Sequence, residues 1–191
     1  ERLCQHLHLP LQSGSASILR RMARKTTPVS FRSLVSAARQ VVPEAAITTD
    51  VIAGFPGETE GEFAESLDFI RKMEFAGGHA FTYSARPGTA AARLNRQIRP
   101  EVRKERNAIL REVFEAGSHA YRQRFIGRQL PVLWESCESL NGQDWQLQGL
   151  TGNYLRVSAV TQKSLWNRIS IVEMRSEGKN GLCGSILNID P

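Results

Sequence analysis

The sequence predicts an α/β chain: a partial TIM-like (β/α) barrel of parallel strands, followed by a small antiparallel β-barrel of the OB type. Three observations carry that expectation. Up to residue 126, apolar runs of strand length alternate with helical stretches, which is the rhythm of parallel strands joined by right-handed crossovers. From Gly127 onward, five short apolar runs follow one another between turn residues. Of the 191 residues, 41% are apolar, enough for a core in each part. The boundary is expected near Ile126, giving domains 1–126 and 127–191.

Taken in order, His6 to Leu11 reads as a strand that ends in Gln12-Ser13-Gly14-Ser15. Ile18, Leu19 and Met22 then mark one face of a short helix. A second helix follows Pro28, with Phe31, Leu34, Val35, Ala38 and Val42 at helical spacing until Pro43 stops it. Ile47 to Ala53 is the next strand, and it breaks at Gly54-Phe55-Pro56-Gly57. Thr59-Glu60-Gly61-Glu62 is a capping box, in which hydroxyl and carboxylate each satisfy a free amide of the helix start. That helix buries Phe63, Leu67 and Ile70 and runs to about Glu74.

Gly77-Gly78 introduces a third strand, His79 to Tyr83. After a polar stretch through Pro87-Gly88, a long helix starts at Pro100, with Val102, Ile109, Val113, Phe114, Ala120 and Tyr121 at core spacing. The five later strands are Gln129 to Glu135, Trp145 to Gly149, Tyr154 to Val160, Arg168 to Arg175 and Leu182 to Ile189. Asn141-Gly142, Thr151-Gly152-Asn153, Lys163-Ser164 and Gly178-Lys179-Asn180 separate them.

The formal charge is +6. From Gly127 onward Arg128, Arg156, Lys163, Arg168, Arg175 and Lys179 are matched by six acidic residues, so the excess belongs to the first part. It concentrates in Arg86, Arg93, Arg96, Arg99, Arg103, Lys104 and Arg106, a stretch that is either a polyanion-facing surface or a solvated helix face paired by Glu101 and Glu105. The three cysteines, Cys4, Cys137 and Cys183, are scattered and odd in number, which points to reduced thiols and a cytoplasmic protein. No run has the ~18 apolar residues that span a bilayer, so no membrane partner is expected. Beginning at Glu1 and entering a strand within a few residues, the chain is expected to be the back portion of something longer.

In parallel α/β folds ligands lie outside the carboxyl ends of the strands. Those ends carry Gln12-Ser13-Gly14-Ser15, Gly54-Phe55-Pro56-Gly57-Glu58 and Tyr83-Ser84-Ala85-Arg86. Gly54 and Gly57 either bring backbone close to a ligand, with helix-start amides facing an anion, or simply form a tight turn. The spacing is neither a Walker loop nor GxGxxG, which disfavours a phosphate cradle. His6 and His8 share a strand face but have no evident third metal ligand. His79 and His119 read as satisfied or exposed histidines.

Taken together, HLHLPLQSGSASILRRMARK, TTDVIAGFPGETEGEF and FTYSARPGTAAARL resemble the second half of the radical S-adenosylmethionine methylthiotransferases that modify tRNA. The resemblance implies that residues 1–126 are the later strands of the radical domain and that residues 127–191 are a TRAM domain, an RNA-binding β-barrel. It implies S-adenosylmethionine as cofactor, held by Gln12, Ser13, Asp50, Ile52, Gly54, Phe55 and Tyr83. It also implies tRNA as partner, met by His8, Arg86, Arg93, Arg96, Arg156 and Arg168, with no DNA. His6-Leu7-His8 and Gly78-His79-Ala80-Phe81 lean toward the branch acting on threonylcarbamoyladenosine beside the anticodon. The isopentenyladenosine branch, the branch acting on a ribosomal protein, and a non-catalytic RNA-binding module are the alternatives.

The chemistry implied for the intact enzyme is reductive cleavage of S-adenosylmethionine, hydrogen abstraction from C2 of the adenine, and its replacement by a methylthio group. Two 4Fe-4S clusters serve that chemistry in the full-length parent. Their cysteines, including the CxxxCxxC triad, are absent from these 191 residues, so no catalytic or metal residue is expected here and the piece alone is expected to be inactive. The charge balance of residues 127–191 also departs from the positive surface that an RNA-binding barrel normally shows.

Overall fold

The computed structural model describes residues 3–189. Two compact units appear, one of residues 7–119 and one of residues 3–6 and 120–189.

The first unit is built on a three-stranded sheet in the order β1 (His6–His8), β2 (Ala46–Ala53), β3 (Gly77–Thr82). β2 and β3 are parallel, with Asp50 opposite His79 and Ile52 opposite Phe81. The first strand is shorter than expected, because extended pairing past His8 persists only as a parallel bridge between Gln12 and Val51. Helices α1 (Ala16–Arg21), α2 (Pro28–Val41), α3 (Glu60–Met73) and α4 (Pro100–Gln123) follow the strands in turn. This is the expected partial (β/α) barrel.

Period-two alternation along β2 sets the faces. Ile47, Val51 and Ala53 are buried with Phe31 and Val35 of α2, Phe69, Ile70 and Met73 of α3, and Leu110 and Phe114 of α4. Buried Thr49 on the same face gives its hydroxyl to the Leu9 carbonyl and accepts from the Leu11 amide. Thr48, Asp50 and Ile52 point the other way and are only half-buried.

Both helix starts after the turns are capped. Thr59 and Glu62 form the expected capping box, and Thr27 and Ser30 form a second one that the sequence reading missed, because serine replaces the usual Glu or Gln. Two core assignments change. Leu34 is 52% exposed, since Phe31 and Val35 fill the seam of α2. On α4 the buried stripe in this unit runs through Arg106, Leu110 and Phe114, with Ile109 and Val113 packed on its flank.

The second unit is a closed barrel of β4 (Gln129–Ser139), β5 (Trp145–Thr151), β6 (Arg156–Thr161), β7 (Ile169–Gly178) and β8 (Gly181–Ile189), in the order β4-β5-β6-β8-β7. All five expected strands are present. The barrel is not wholly antiparallel: β6 and β8 run parallel, in register at Val157–Leu182 and Ser158–Cys183, and that pair completes the ring. Ring closure requires this, because directions that alternate around a ring of five strands must leave one parallel pair. The interior holds Val132, Trp134, Leu147, Val157, Val172, Met174 and Leu182. The Trp134 indole N–H donates to Ser170 Oγ at 3.1 Å, so the largest buried ring has its polar atom satisfied.

Candidate functional site

At the end of β1, Gln12 adopts φ 74°, an uncommon conformation for a residue with a Cβ. Its amide donates to Asp50 O and its carbonyl accepts from Ile52 N–H, so Gln12 is sewn to β2. The serines that follow face inward. Ser13 is 1% exposed and its hydroxyl accepts the Ser15 amide, while Ser15 donates to Glu65 at 2.7 Å. Gly14 gives its amide to Ser66, and a Cβ there would stand 2.7 Å from Ser66 O. This loop therefore packs on α3, and only Gln12 of the segment retains an open flank.

The turn after β2 is filled from within. Gly54, at φ 73°, donates its amide to the Glu58 carboxylate at 2.8 Å, and a Cβ on Gly54 would collide with the side chain of Arg103. Gly57 donates to Arg96 O, Glu58 N to Phe55 O, and Thr59 N to Glu62. The anion expected at these amides is thus supplied by the chain's own carboxylates, Glu58 and Glu62. Burial pushes the Glu58 carboxyl above its ordinary range, and the Gly54 amide and Arg106 pull the other way. Glu62 is driven down to about 2, first by the Arg21 guanidinium and then by Ser17 and Thr59. Phe55 is buried edge-on against Tyr83, at 5.4 Å between centroids, in a small apolar cluster with Ile18. Ile52 and Met22 pack on it.

The basic stretch divides. Arg86, Arg93, Arg96, Arg99 and Lys104 are exposed. Arg103 and Arg106 turn inward: Arg103 donates to Tyr83 O, and Arg106, 4% exposed, bonds Glu58 at 2.7 Å and also Glu60. The guanidinium of Arg106 lies over the Phe63 ring, 5.1 Å from its carbon to the centroid. A polyanion would meet five of the seven cations; the other two hold the Gly54 turn.

On the half-buried face of the sheet the structure brings together residues the sequence left apart. Asp50 accepts from His8 Nε2 at 3.2 Å with one oxygen and from His79 Nδ1 at 3.1 Å with the other. His8 Nδ1 lies 3.0 Å from Thr48 Oγ1. Thus Asp50, expected at the cofactor, and His8, expected at the tRNA, contact each other. His79 was missed as a site residue; its signal was the alternation His79, Phe81 opposite Asp50, Ile52, which the parallel register alone reveals.

On the barrel, a groove of about 420 Å³ is lined by Gln146, Gln148, Arg156, Ser158, Lys179 and Cys183 among others. Arg168, just before β7, is not among the residues that line it. Among the described residues no group of three or more His, Cys, Asp or Glu side chains is arranged to hold a metal ion. No helix among them is long and apolar enough to cross a membrane.

A family model described as the radical SAM superfamily matches residues 1–70. A tRNA-2-methylthio-N(6)-dimethylallyladenosine synthase of Acetivibrio thermocellus is 37% identical over 187 residues, which is 98% of this chain and 38% of that protein. Threonylcarbamoyladenosine tRNA methylthiotransferase MtaB of Thermotoga maritima is 43% identical over 134 residues, 70% of this chain and 31% of that protein. Among solved structures, the coproporphyrinogen III oxidase HemN of Escherichia coli aligns with a TM-score of 0.49 and 15% identity over 75% of this chain and 40% of that one. The chain is similar along most of its length to radical S-adenosylmethionine methylthiotransferases, and it spans between about a third and two fifths of the length of these two relatives. The family's cofactors are S-adenosylmethionine and 4Fe-4S clusters.

Proposed function

We propose that the chain is the C-terminal portion of a cytoplasmic enzyme that adds a methylthio group to C2 of an N6-modified adenosine next to the tRNA anticodon. Threonylcarbamoyladenosine is the favoured substrate and isopentenyladenosine the alternative. The observation that carries the reading is the 37% identity to a tRNA methylthiolating enzyme across 98% of this chain. Residues 127–191 would act as a TRAM-type RNA-binding barrel, and the groove between Arg156 and Lys179 supports that part of the reading.

The residues fit S-adenosylmethionine at the strand ends. The Tyr83 hydroxyl is buried and has no hydrogen-bond partner among the described residues, so a polar ligand group there would satisfy it. Gln12 and Ile52 would flank the ligand, and Ser13, Gly54 and Phe55 would shape the wall behind it rather than reach it. When bound to a cluster, this cofactor supplies the radical that activates a C–H bond. The chain's own contributions are to exclude water with the Ile18–Phe55–Tyr83 cluster, to fix the Gly54 turn through Glu58 and Arg106, and to hold RNA with Arg86, Arg93, Arg96 and Arg156.

The test is anaerobic incubation of the full-length protein with anticodon stem-loop RNA carrying either modified adenosine, in parallel with ribosomal protein. Methylthioadenosine in the RNA, read by mass spectrometry, is the expected product. Modification of the protein substrate instead, or RNA binding by a full-length chain with no cluster, would replace this reading.

A further inference from the structure

We propose that His79 reads the N6 edge of the target adenine, with Asp50 and His8 as positioning residues; the inference rests on the function proposed above. An ionised carboxylate only accepts hydrogen bonds, so both imidazoles must donate to Asp50. In the neutral ring of His79 that places the proton on Nδ1, where the contact to Asp50 Oδ1 is 3.1 Å, and leaves Nε2 as an acceptor. His8 is fixed with its proton on Nε2, toward Asp50 Oδ2, and its Nδ1 accepts from Thr48 Oγ1 at 3.0 Å. Both ring nitrogens of His8 are therefore occupied. The Nε2 of His79 has no partner among the described residues, and the side chain is 72% exposed on the helix-free face of the sheet.

Two rings neighbour the His79 ring. Centroid to centroid, His8 lies 6.3 Å from it and Phe81 6.1 Å, the Phe81 ring tilted by 41° and its residue 52% exposed. An acceptor beside aromatic faces suits a planar base that presents an N–H. The Asp50 carboxylate at the centre of the cluster opposes a phosphate, which separates this site from the outward arginines. An adenine with one N6 substituent keeps one N6–H and meets the requirement, whereas an N6,N6-dimethyladenine has none.

Two measurements test the assignment. Nitrogen-15 histidine spectra of the 191-residue chain, which has only four histidines, should show His79 as the Nδ1–H tautomer. D50N should abolish that pattern without loss of the fold, and an Nε2–H tautomer in the native chain overturns the argument. In the full-length protein, H79L should raise KM for stem-loop RNA about tenfold, roughly the worth of one hydrogen bond, and H79Q, which keeps an acceptor at that reach, should restore it to within about threefold. An RNA with N6,N6-dimethyladenosine at the target should not compete with the monosubstituted one. Unchanged KM in H79L, or equal competition by the dimethyl base, overturns the role of His79 while leaving methylthiolation intact. Absence of any methylthiolation by the native protein overturns the parent reading, and this inference with it.

Discussion

Replacing Arg106 by methionine is the sharpest probe of the turn that ends β2. Arg106 is 4% exposed and its partner Glu58 is also 4% exposed, with 2.7 Å between nitrogen and oxygen. Methionine fills much of the same buried space without the guanidinium over Phe63, and it strands a buried carboxylate whose remaining partner is the Gly54 amide. Leaving one member of a buried ion pair alone costs about 3–5 kcal/mol. In the double variant E58Q/R106M, glutamine still accepts from Gly54 and no charge is stranded, so most of that loss should return.

Glu58 already has a raised carboxyl, chiefly through burial, and removing Arg106 raises it further. A carboxyl that is raised in the fold stabilises the native state below its unfolded value and loses that contribution as pH rises through its folded value. The deficit of R106M relative to native protein should therefore be largest at neutral pH and shrink on acidification toward the ordinary carboxylate range. Urea unfolding followed by circular dichroism at the helix band is the suitable assay. Trp134, Trp145 and Trp166 all lie in the barrel unit, so fluorescence would miss the event. A loss under about 1 kcal/mol, or a deficit that grows on acidification, would refute the reasoning.

Other outcomes follow from the same geometry. E62Q should remove about 1–2 kcal/mol at neutral pH, after discounting for solvent around Arg21. Because Glu62 is depressed to about 2, the native contribution should fade as pH drops from the unfolded carboxylate range through that value, the reverse of the Glu58 trend. G14A, which forces a Cβ against Ser66 O, should cost about 1–3 kcal/mol in the same dichroism assay. Y121F removes the acceptor of the Asn153 amide and should destabilise the barrel by about 1–2 kcal/mol, read by tryptophan fluorescence. Alanine at Arg86, Arg93, Arg96 and Arg99 should lower RNA affinity and flatten its salt dependence by about 0.7 per lost phosphate contact, whereas a steep slope that survives would remove these residues from the interface.

Local signals carried most of the architecture. Pro28, Pro43 and Pro100, the Thr59–Glu62 box and the glycines between short apolar runs mark element ends through backbone sterics, which neighbouring residues suffice to show. What escaped was non-local. Nothing near β8 says that it runs parallel to β6, because the partner lies about 25 residues away and only ring closure demands it. Charge counting placed Arg103 and Arg106 with the outward arginines, yet Arg106, Leu110 and Phe114 recur at four-residue steps, and that spacing was the available hint that Arg106 shares the buried face. The pairing of Asp50 with two histidines depends on three strands in register, so His8 and Asp50 received separate roles and His79 none. Gly54 was legible as a sharp strand end; that its amide and its open side are used by Glu58 and Arg103 was not.

The parallel pairing of β6 with β8 has a dynamic consequence. Among the described residues two register pairs join these strands, against eight between β7 and β8. The ring therefore has one short seam, and the groove beside Arg156 and Lys179 runs along it. Amides at Val157, Ser158, Leu182 and Cys183 should exchange with solvent ahead of the rest of the barrel. If the seam parts, the cylinder becomes an open sheet with two bare edges, which another strand is able to join. Occupancy of the groove would pin the seam shut, so a ligand there would act as a clasp on the fold as well as being held by it.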